Sequence, residues 1–228
     1  MNFPSPTRRI VTVDDEALAR RCAQGRIVLI DDHPEVVQAL TNLLHLEGYA
    51  CEGYPSASDY LEALKRQDPV FPGPACILSD MRMPGLDGLE LLAQLSARDE
   101  MPVILMSGAS GIRDAVEGFR TGAVDFLVKP VETDELLGAV AKALAISAQS
   151  REQRTRGQDL ARRLASLTPR EQTVAARVAQ GDTNVQVAEE LGISLRSVKR
   201  IRQSAATKLG AESTAELVLK FTEGKRGL

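Results

Sequence analysis

The chain has 228 residues, 43% of them hydrophobic, and a formal net charge of −3 at pH 7, with no apolar run of 18 or more residues. This composition is that of a soluble globular protein of one large or two small domains. It argues against a membrane span. The small net charge conceals an asymmetry: residues 25–150 hold 9 Lys+Arg against 19 Asp+Glu, a net of −10, and residues 151–228 hold 15 against 9, a net of +6. A basic C-terminal part behind an acidic N-terminal part predicts nucleic-acid binding governed by another module.

The start MNFPSPTRR lacks the apolar stretch of a secretory leader, so a cytoplasmic location without a membrane partner is expected. Cys22, Cys51 and Cys76 lie far apart without CxxC spacing, which suggests neither a disulfide framework nor a zinc site. In RRIVTVDDEALARRCAQGRIVLIDDH, residues 8–33, an apolar run ends in two aspartates twice, at Asp14 and Asp15 and at Asp31 and Asp32. Only 17 residues separate the pairs, too few for a βαβ unit, and residues 1–25 are read as an extension, either a tail or a docking helix built on DDEALARRCAQ.

From Arg26 onward strands are predicted near 26–30, 49–52, 75–79, 102–107 and 123–127, with helices over 34–47, 56–66, 87–97, 111–120 and 132–147. Regular alternation predicts an α/β domain, a parallel sheet covered by helices on both faces, whose site lies at the carboxyl ends of the strands. Residues 148–165, containing SAQSREQRTRGQD, have the polar, arginine-rich composition of a linker, with a helical continuation as the alternative. Residues 166–228 carry only helical patterns, 168–180, 183–191, 195–209 and 213–223, and predict a small all-α four-helix domain.

Asp80 ends the strand ACILS and precedes the loop MRMPGLDG, which places its carboxylate at the sheet's carboxyl edge. Travelling from the end of the first strand to the end of the third takes roughly 48 residues of average helices, strands and loops. Asp32 lies 48 residues before Asp80 and Asp15 lies 65, so the second pair belongs to the site. Asp31, Asp32 and Asp80 crowded together repel one another and imply a cation. An all-oxygen set with room for water suits Mg²⁺, with Mn²⁺ able to substitute. Ser107 and Lys129 end the fourth and fifth strands and complete a phosphoryl site with Asp80 as nucleophile, because phosphoryl transfer is mostly positioning and charge neutralisation. His33, beside the pair, is read as an exposed residue of the helix's first turn.

The pieces DD at 31–32, SDMRMPGLDG around Asp80, MSGAS at 106–110 and GAVDFLVKP at 122–130 together resemble a two-component receiver domain over residues 26–147. The resemblance implies a flavodoxin-like (βα)5 fold of strand order 2-1-3-4-5. It also implies Mg²⁺ held by Asp32, Asp80 and the backbone carbonyl of Arg82, Asp31 acting largely through water, and phosphate supplied by a histidine kinase. Ser107 and Phe126 would form the switch that reshapes the face spanning helix 111–120 and strand 123–127. Enzymatic activity beyond self-phosphorylation and weak self-dephosphorylation is not expected.

In NVQVAEELGISLRSVKRIRQSAATKLG, Gly192 marks the turn of a helix-turn-helix and Ser194 caps the second helix. At 100° per residue Leu195, Val198, Ile201, Ala205 and Leu209 share one side, and Arg196, Lys199, Arg200, Gln203 and Thr207 the other. The basic side, free of acids, suits a major groove, and Arg202 at the apolar edge is expected to reach a phosphate or pack its stem. Residues 167–211 resemble the LuxR-type helix-turn-helix of NarL/FixJ response regulators, departing at Leu195 and Ile201, where proline and histidine are frequent. The partners expected with this resemblance are double-stranded promoter DNA, RNA polymerase and, on phosphorylation, a second copy of the chain, with helix 213–223 at the dimer contact. The alternatives are a phosphate sink with an idle C-terminal domain and a phosphate-independent or partner-gated DNA binder.

Overall fold

The computed structural model describes residues 25–66, 73–96, 101–108 and 112–226, with the side chains of 96, 112–115 and 226 left aside. The extension over residues 1–24, with Asp14, Asp15 and Cys22, lies outside the described residues. The chain divides into two compact units, one ending at Arg151 and one beginning at Glu152.

In the first unit the order is β1 (Arg26–Ile30), α1 (Pro34–Leu46), β2 (Ala50–Tyr54), α2 (Ala57–Lys65), β3 (Ala75–Asp80), α3 (Gly88–Ser96), β4 (Val103–Ser107), α4 (Ile112–Thr121), β5 (Asp125–Val128) and the first part of α5 (Thr133–Ala165), whose residues from Glu152 belong to the second unit. The five strands form one parallel sheet ordered β2-β1-β3-β4-β5, the order the receiver resemblance implies. Strands covered on both faces read as unbroken apolar runs, and every residue of β3 and β4 is buried. Side chains alternate between faces along β1. Ile27 and Leu29 join Leu44 of α1 and Leu136, Val140 and Leu144 of α5. Val28 and Ile30 join Tyr60 of α2 and Leu91, Leu92 and Leu95 of α3.

Register brings the carboxyl ends level. Ile30 pairs with Ser79, so Asp31 and Asp80 follow side by side; Ser107 pairs with Val128, and Lys129 N donates to Ser107 O at 2.8 Å. The Lys129–Pro130 peptide bond is cis. Gly88, the first residue of α3, lets that helix approach the end of β3: a Cβ there would lie 2.5 Å from Asp80 O and 2.9 Å from Met81 Cα.

Residues 148–165, which could be a linker or a helical continuation, are the second half of α5. Nothing in Thr133–Ala165 is proline, and the polar stretch is supported by ion pairs one turn apart, Glu152–Arg156 at 2.9 Å and Asp159–Arg163 at 2.6 Å, each with the acid on the N-terminal side. The middle of the helix is tied to the sheet through Ser147 Oγ, which accepts from Ala75 N at 3.0 Å.

The second unit packs Leu160 and Leu164 of α5 with α6 (Pro169–Ala179), α7 (Asn184–Leu191), α8 (Leu195–Leu209) and α9 (Thr214–Arg226). Thr168 and Thr183 close reciprocal capping boxes with Glu171 and Gln186, and Ser194 Oγ accepts from Ser197 N at the start of α8. Gly192, at φ 61°, ends α7 in the left-handed region and makes the turn into α8. Leu195, expected on the apolar side of α8, is instead 40% exposed; it stands at the edge of the stripe in the first turn, while Val198, Ala205 and Leu209 are buried.

Candidate functional site

At the carboxyl edge of the sheet the Lys129 ammonium donates to Asp31 Oδ2 at 2.7 Å and to Asp80 Oδ1 at 2.6 Å. Asp31 is 1% exposed and Asp80 6%, so the pocket holds two buried carboxylates bridged by one cation. Burial opposes the charge on Lys129, but the hydrogen bonds to Asp31 and Asp80 outweigh it and hold the ammonium above the ordinary lysine range. The remaining oxygens are distributed unevenly. Asp80 Oδ2 accepts from Arg82 N at 3.0 Å, and Asp31 Oδ1 accepts from His33 N at 2.9 Å.

Asp32 differs from its neighbours. Its Oδ1 is buried and has no hydrogen-bond partner among the described residues; the His33 ring nitrogen 3.2 Å away is engaged with Asp31 Oδ1. A buried carboxylate oxygen left without a donor is costly unless a cation meets it. Asp31, Asp32 and His33 offer ligand atoms within 4.8 Å of one another, and this acidic pocket fits a hard divalent cation. His33 is exposed as expected, but sequence reasoning missed its contact with both carboxylates. The Asp32 charge and the hydrogen bond to Asp31 hold its imidazole above the ordinary histidine range.

Ser107 is buried at the end of β4 beside this cluster, and Phe126 lies half-buried on β5, paired with Leu105. The Phe126 ring packs near Gly118 of α4, where a Cβ would stand 3.8 Å from its Cδ2 and 3.0 Å from Leu105 Cδ1. Sequence-predicted residues of the first unit thus converge on one edge: Asp31, Asp32, Asp80, Lys129 and Ser107 around the pocket, Arg82 in the turn after Asp80, and Phe126 on the strand leading to Lys129.

In the second unit α8 presents Arg196, Lys199, Arg200 and Gln203 to solvent, with Arg202 half-buried at the margin. Among the described residues none of these arginines, nor Lys199, has a carboxylate partner, so their charge is available to an external anion. Lys199, Arg200, Gln203, Ser204, Thr207 and Lys208 line an open groove along this helix. Lys208 is different. Its ammonium donates to Glu171 Oε2 at 2.7 Å and to Ser166 O at 3.1 Å. Glu171 is 6% exposed and also accepts from Ser204 Oγ at 2.6 Å and Thr168 N at 2.7 Å. Lys208 first, then Ser204 and Thr168, bring its carboxyl down to about 2. Sequence reasoning missed this group; its one local signal is the capping box Thr168-x-x-Glu171.

A parallel sheet with an acid-and-lysine pocket, and a separate helix-turn-helix unit, together define a response regulator with a DNA-binding output. Residues 27–141 match the family model described as response regulator receiver domain, and residues 165–221 match that of bacterial regulatory proteins, luxR family. The chain is 37% identical to the transcriptional regulatory protein FixJ of Bradyrhizobium diazoefficiens strain USDA 110 over 198 residues, 86% of this chain and 93% of FixJ. It is 37% identical to the response regulator protein TodT of Pseudomonas putida strain F1 over 193 residues, 84% of this chain and 83% of TodT. A solved structure of the response regulator StyR superimposes with a TM-score of 0.77 at 34% identity, covering 88% of this chain and 99% of that one. The chain belongs to the NarL/FixJ family of response regulators, phosphorylation-dependent transcriptional regulators that join a receiver to a LuxR-type helix-turn-helix. Among its described residues no helix is long and apolar enough to cross a membrane.

Proposed function

We propose that Asp80 is the phosphoacceptor and that its modification by a histidine kinase drives pairing of two chains on promoter DNA. The observation that carries this reading is the Lys129 ammonium held between Asp80 and Asp31 at 2.6 and 2.7 Å, beside the buried Asp32 oxygen that accepts no hydrogen bond among the described residues. In the transfer the donor's P–N bond breaks, a P–O bond forms to an Asp80 carboxylate oxygen, and the imidazole leaves to take up a proton. Lys129 offsets charge on the phosphoryl oxygens, and the Ser107 hydroxyl donates to one of them. Asp32, Asp80 and the Arg82 carbonyl would hold Mg²⁺, or Mn²⁺ in its place, with Asp31 acting through water because its own oxygens are taken by Lys129 and His33. The metal supplies further charge neutralisation at the phosphoryl group. Beyond accepting phosphate and slowly losing it to water, the chain carries out no reaction.

As Ser107 turns to the phosphoryl group, Phe126 follows inward and reshapes the face of α4 and β5. Val116, Phe119 and Val128 stand 48%, 51% and 51% exposed there, which supports this face as the contact between two copies. Paired second units then place two α8 helices in successive major grooves. Arg196, Arg200 and Gln203 read base edges, Lys199 and Arg202 meet phosphates, α9 adds dimer contact, and the bound pair engages RNA polymerase.

Intact mass and size-exclusion elution of the wild type and Asp80→Asn, each with Mg²⁺ and acetyl phosphate, test the proposal. One phosphoryl group on the wild type alone, with a shift toward dimer, is the expected result. No modification of either protein would refute the phosphoacceptor assignment and favour a phosphate-independent regulator.

A further inference from the structure

The basic face of α8 is not uniform, and the difference lies in what each cation touches. Arg196, Lys199 and Arg200 are exposed without an acidic partner among the described residues, whereas Lys208 spends two of its three donors within the unit, on Glu171 Oε2 and Ser166 O. Glu171 sits at the third position of α6, and its two oxygens grip consecutive turns of α8: Ser204 on Oε1 at 2.6 Å and Lys208 on Oε2 at 2.7 Å. The same carboxylate closes the Thr168 capping box, so the start of α6 and the last turns of α8 are fastened through one buried anion. Charge-assisted hydrogen bonds of this kind are short and directional, and a carboxylate with three donors and almost no solvent has no alternative partner.

We infer that Glu171 is a positioning residue for DNA binding: it sets the pitch of α8 against its own domain and withholds the Lys208 charge from the nucleic acid. This inference rests on the reading that α8 faces DNA. Its consequence is that on a duplex without operator bases, where Arg200 has no cognate base edge to read, the groove lined by Lys199, Arg200, Gln203 and Lys208 attracts phosphate through Lys199 and Arg200, while Lys208 contributes nothing to the ionic part of affinity. A lysine counted as basic surface is consumed internally.

The test uses the full chain and a fluorescein-labelled mixed-sequence duplex, with affinity followed by anisotropy across a salt series. Each cation that neutralises a phosphate steepens the slope of log affinity against log salt by about 0.9. Lys199→Gln and Arg200→Gln are expected to flatten the slope by about that amount each, and Lys208→Gln to leave it unchanged. Glu171→Gln releases the lysine, so the slope steepens by about 0.9 and affinity for this duplex rises at low salt; in Glu171→Gln/Lys208→Gln both gains vanish. A merely structural role for Glu171 gives loss of affinity and no rise. A slope flattened by Lys208→Gln as much as by Lys199→Gln overturns the withholding with the DNA-facing assignment intact. Slopes insensitive to Lys199 and Arg200 overturn that assignment and the inference with it.

Discussion

The Lys129 ammonium and the Asp80 carboxylate meet at 2.6 Å although 49 residues separate them, because the ends of β3 and β5 lie on one edge of a sheet in which only β4 intervenes. Lys129 also neutralises Asp31, so its removal leaves clustered carboxylates without their internal cation. Lys129→Met is therefore expected to bind Mg²⁺ more tightly, as the pocket becomes more negative, and to accept phosphate about 100-fold more slowly or worse. Calorimetric Mg²⁺ titration and the rate of mass gain with acetyl phosphate measure the two effects. Weaker Mg²⁺ binding would show that the lysine supports the cation site rather than competing with it.

Gly88 tests how closely α3 must approach the pocket. A Cβ would stand 2.5 Å from Asp80 O and 2.9 Å from Met81 Cα, both backbone atoms that cannot swing aside. Gly88→Ala is expected to cost about 1–3 kcal/mol, read as a lowered urea midpoint, and to slow phosphorylation by displacing Asp80. An unchanged midpoint would mean that the helix start moves freely.

Much of this was legible because parallel strands declare themselves. IVLI, ACILS and VILMS are apolar on both faces, and element lengths alone select Asp31 and Asp32 over Asp14 and Asp15 as neighbours of Asp80. The edge strand β2 is less apolar, with Ala50 and Gly53 exposed and partial burial between, and its end was correspondingly blurred. The second half of α5 reads as a linker because its stability comes from ion pairs one turn apart and from Leu164 in the second core, not from an apolar stripe through 152–158. Glu171 and Lys208 are 37 residues apart, and no local pattern couples an acid on α6 to a cation on α8. Only the fold does so.

That pair sets a dependence on pH. The Glu171 carboxyl falls from an ordinary 4.5 to about 2 in the folded chain, so the unfolded state binds the proton more readily. Its contribution to stability is full above about 4.5 and is lost as pH falls through the interval from there to about 2. Protection of the amides over 169–209, taken relative to the intrinsic exchange rate at each pH, is expected to fall in this interval in the wild type, and Glu171→Gln to show weaker protection at pH 7 with a flatter dependence below 4.5. Parallel profiles for the two proteins would assign the acid sensitivity to other carboxylates.

Asp32 carries the sharpest prediction about the pocket, because its roles with and without a cation have opposite signs. Without metal, its buried Oδ1 is desolvated, accepts no hydrogen bond among the described residues and lies close to a second carboxylate, while the His33 ring nitrogen 3.2 Å away is shared with Asp31. Asp32→Asn relieves that repulsion, so the metal-free variant is expected to melt at or above the wild-type temperature. With Mg²⁺ the order inverts. A cation that binds only the folded state stabilises by RT ln(1 + [L]/Kd), about 2.7 kcal/mol at 100 times Kd, and loss of one anionic ligand weakens binding at least about tenfold. Melting curves of the wild type and Asp32→Asn from zero to 20 times the wild-type Kd should therefore cross, the wild type gaining most of the rise. If Asp32→Asn melts lower at every Mg²⁺ concentration, the orphan oxygen is satisfied within the protein and the cation is held elsewhere.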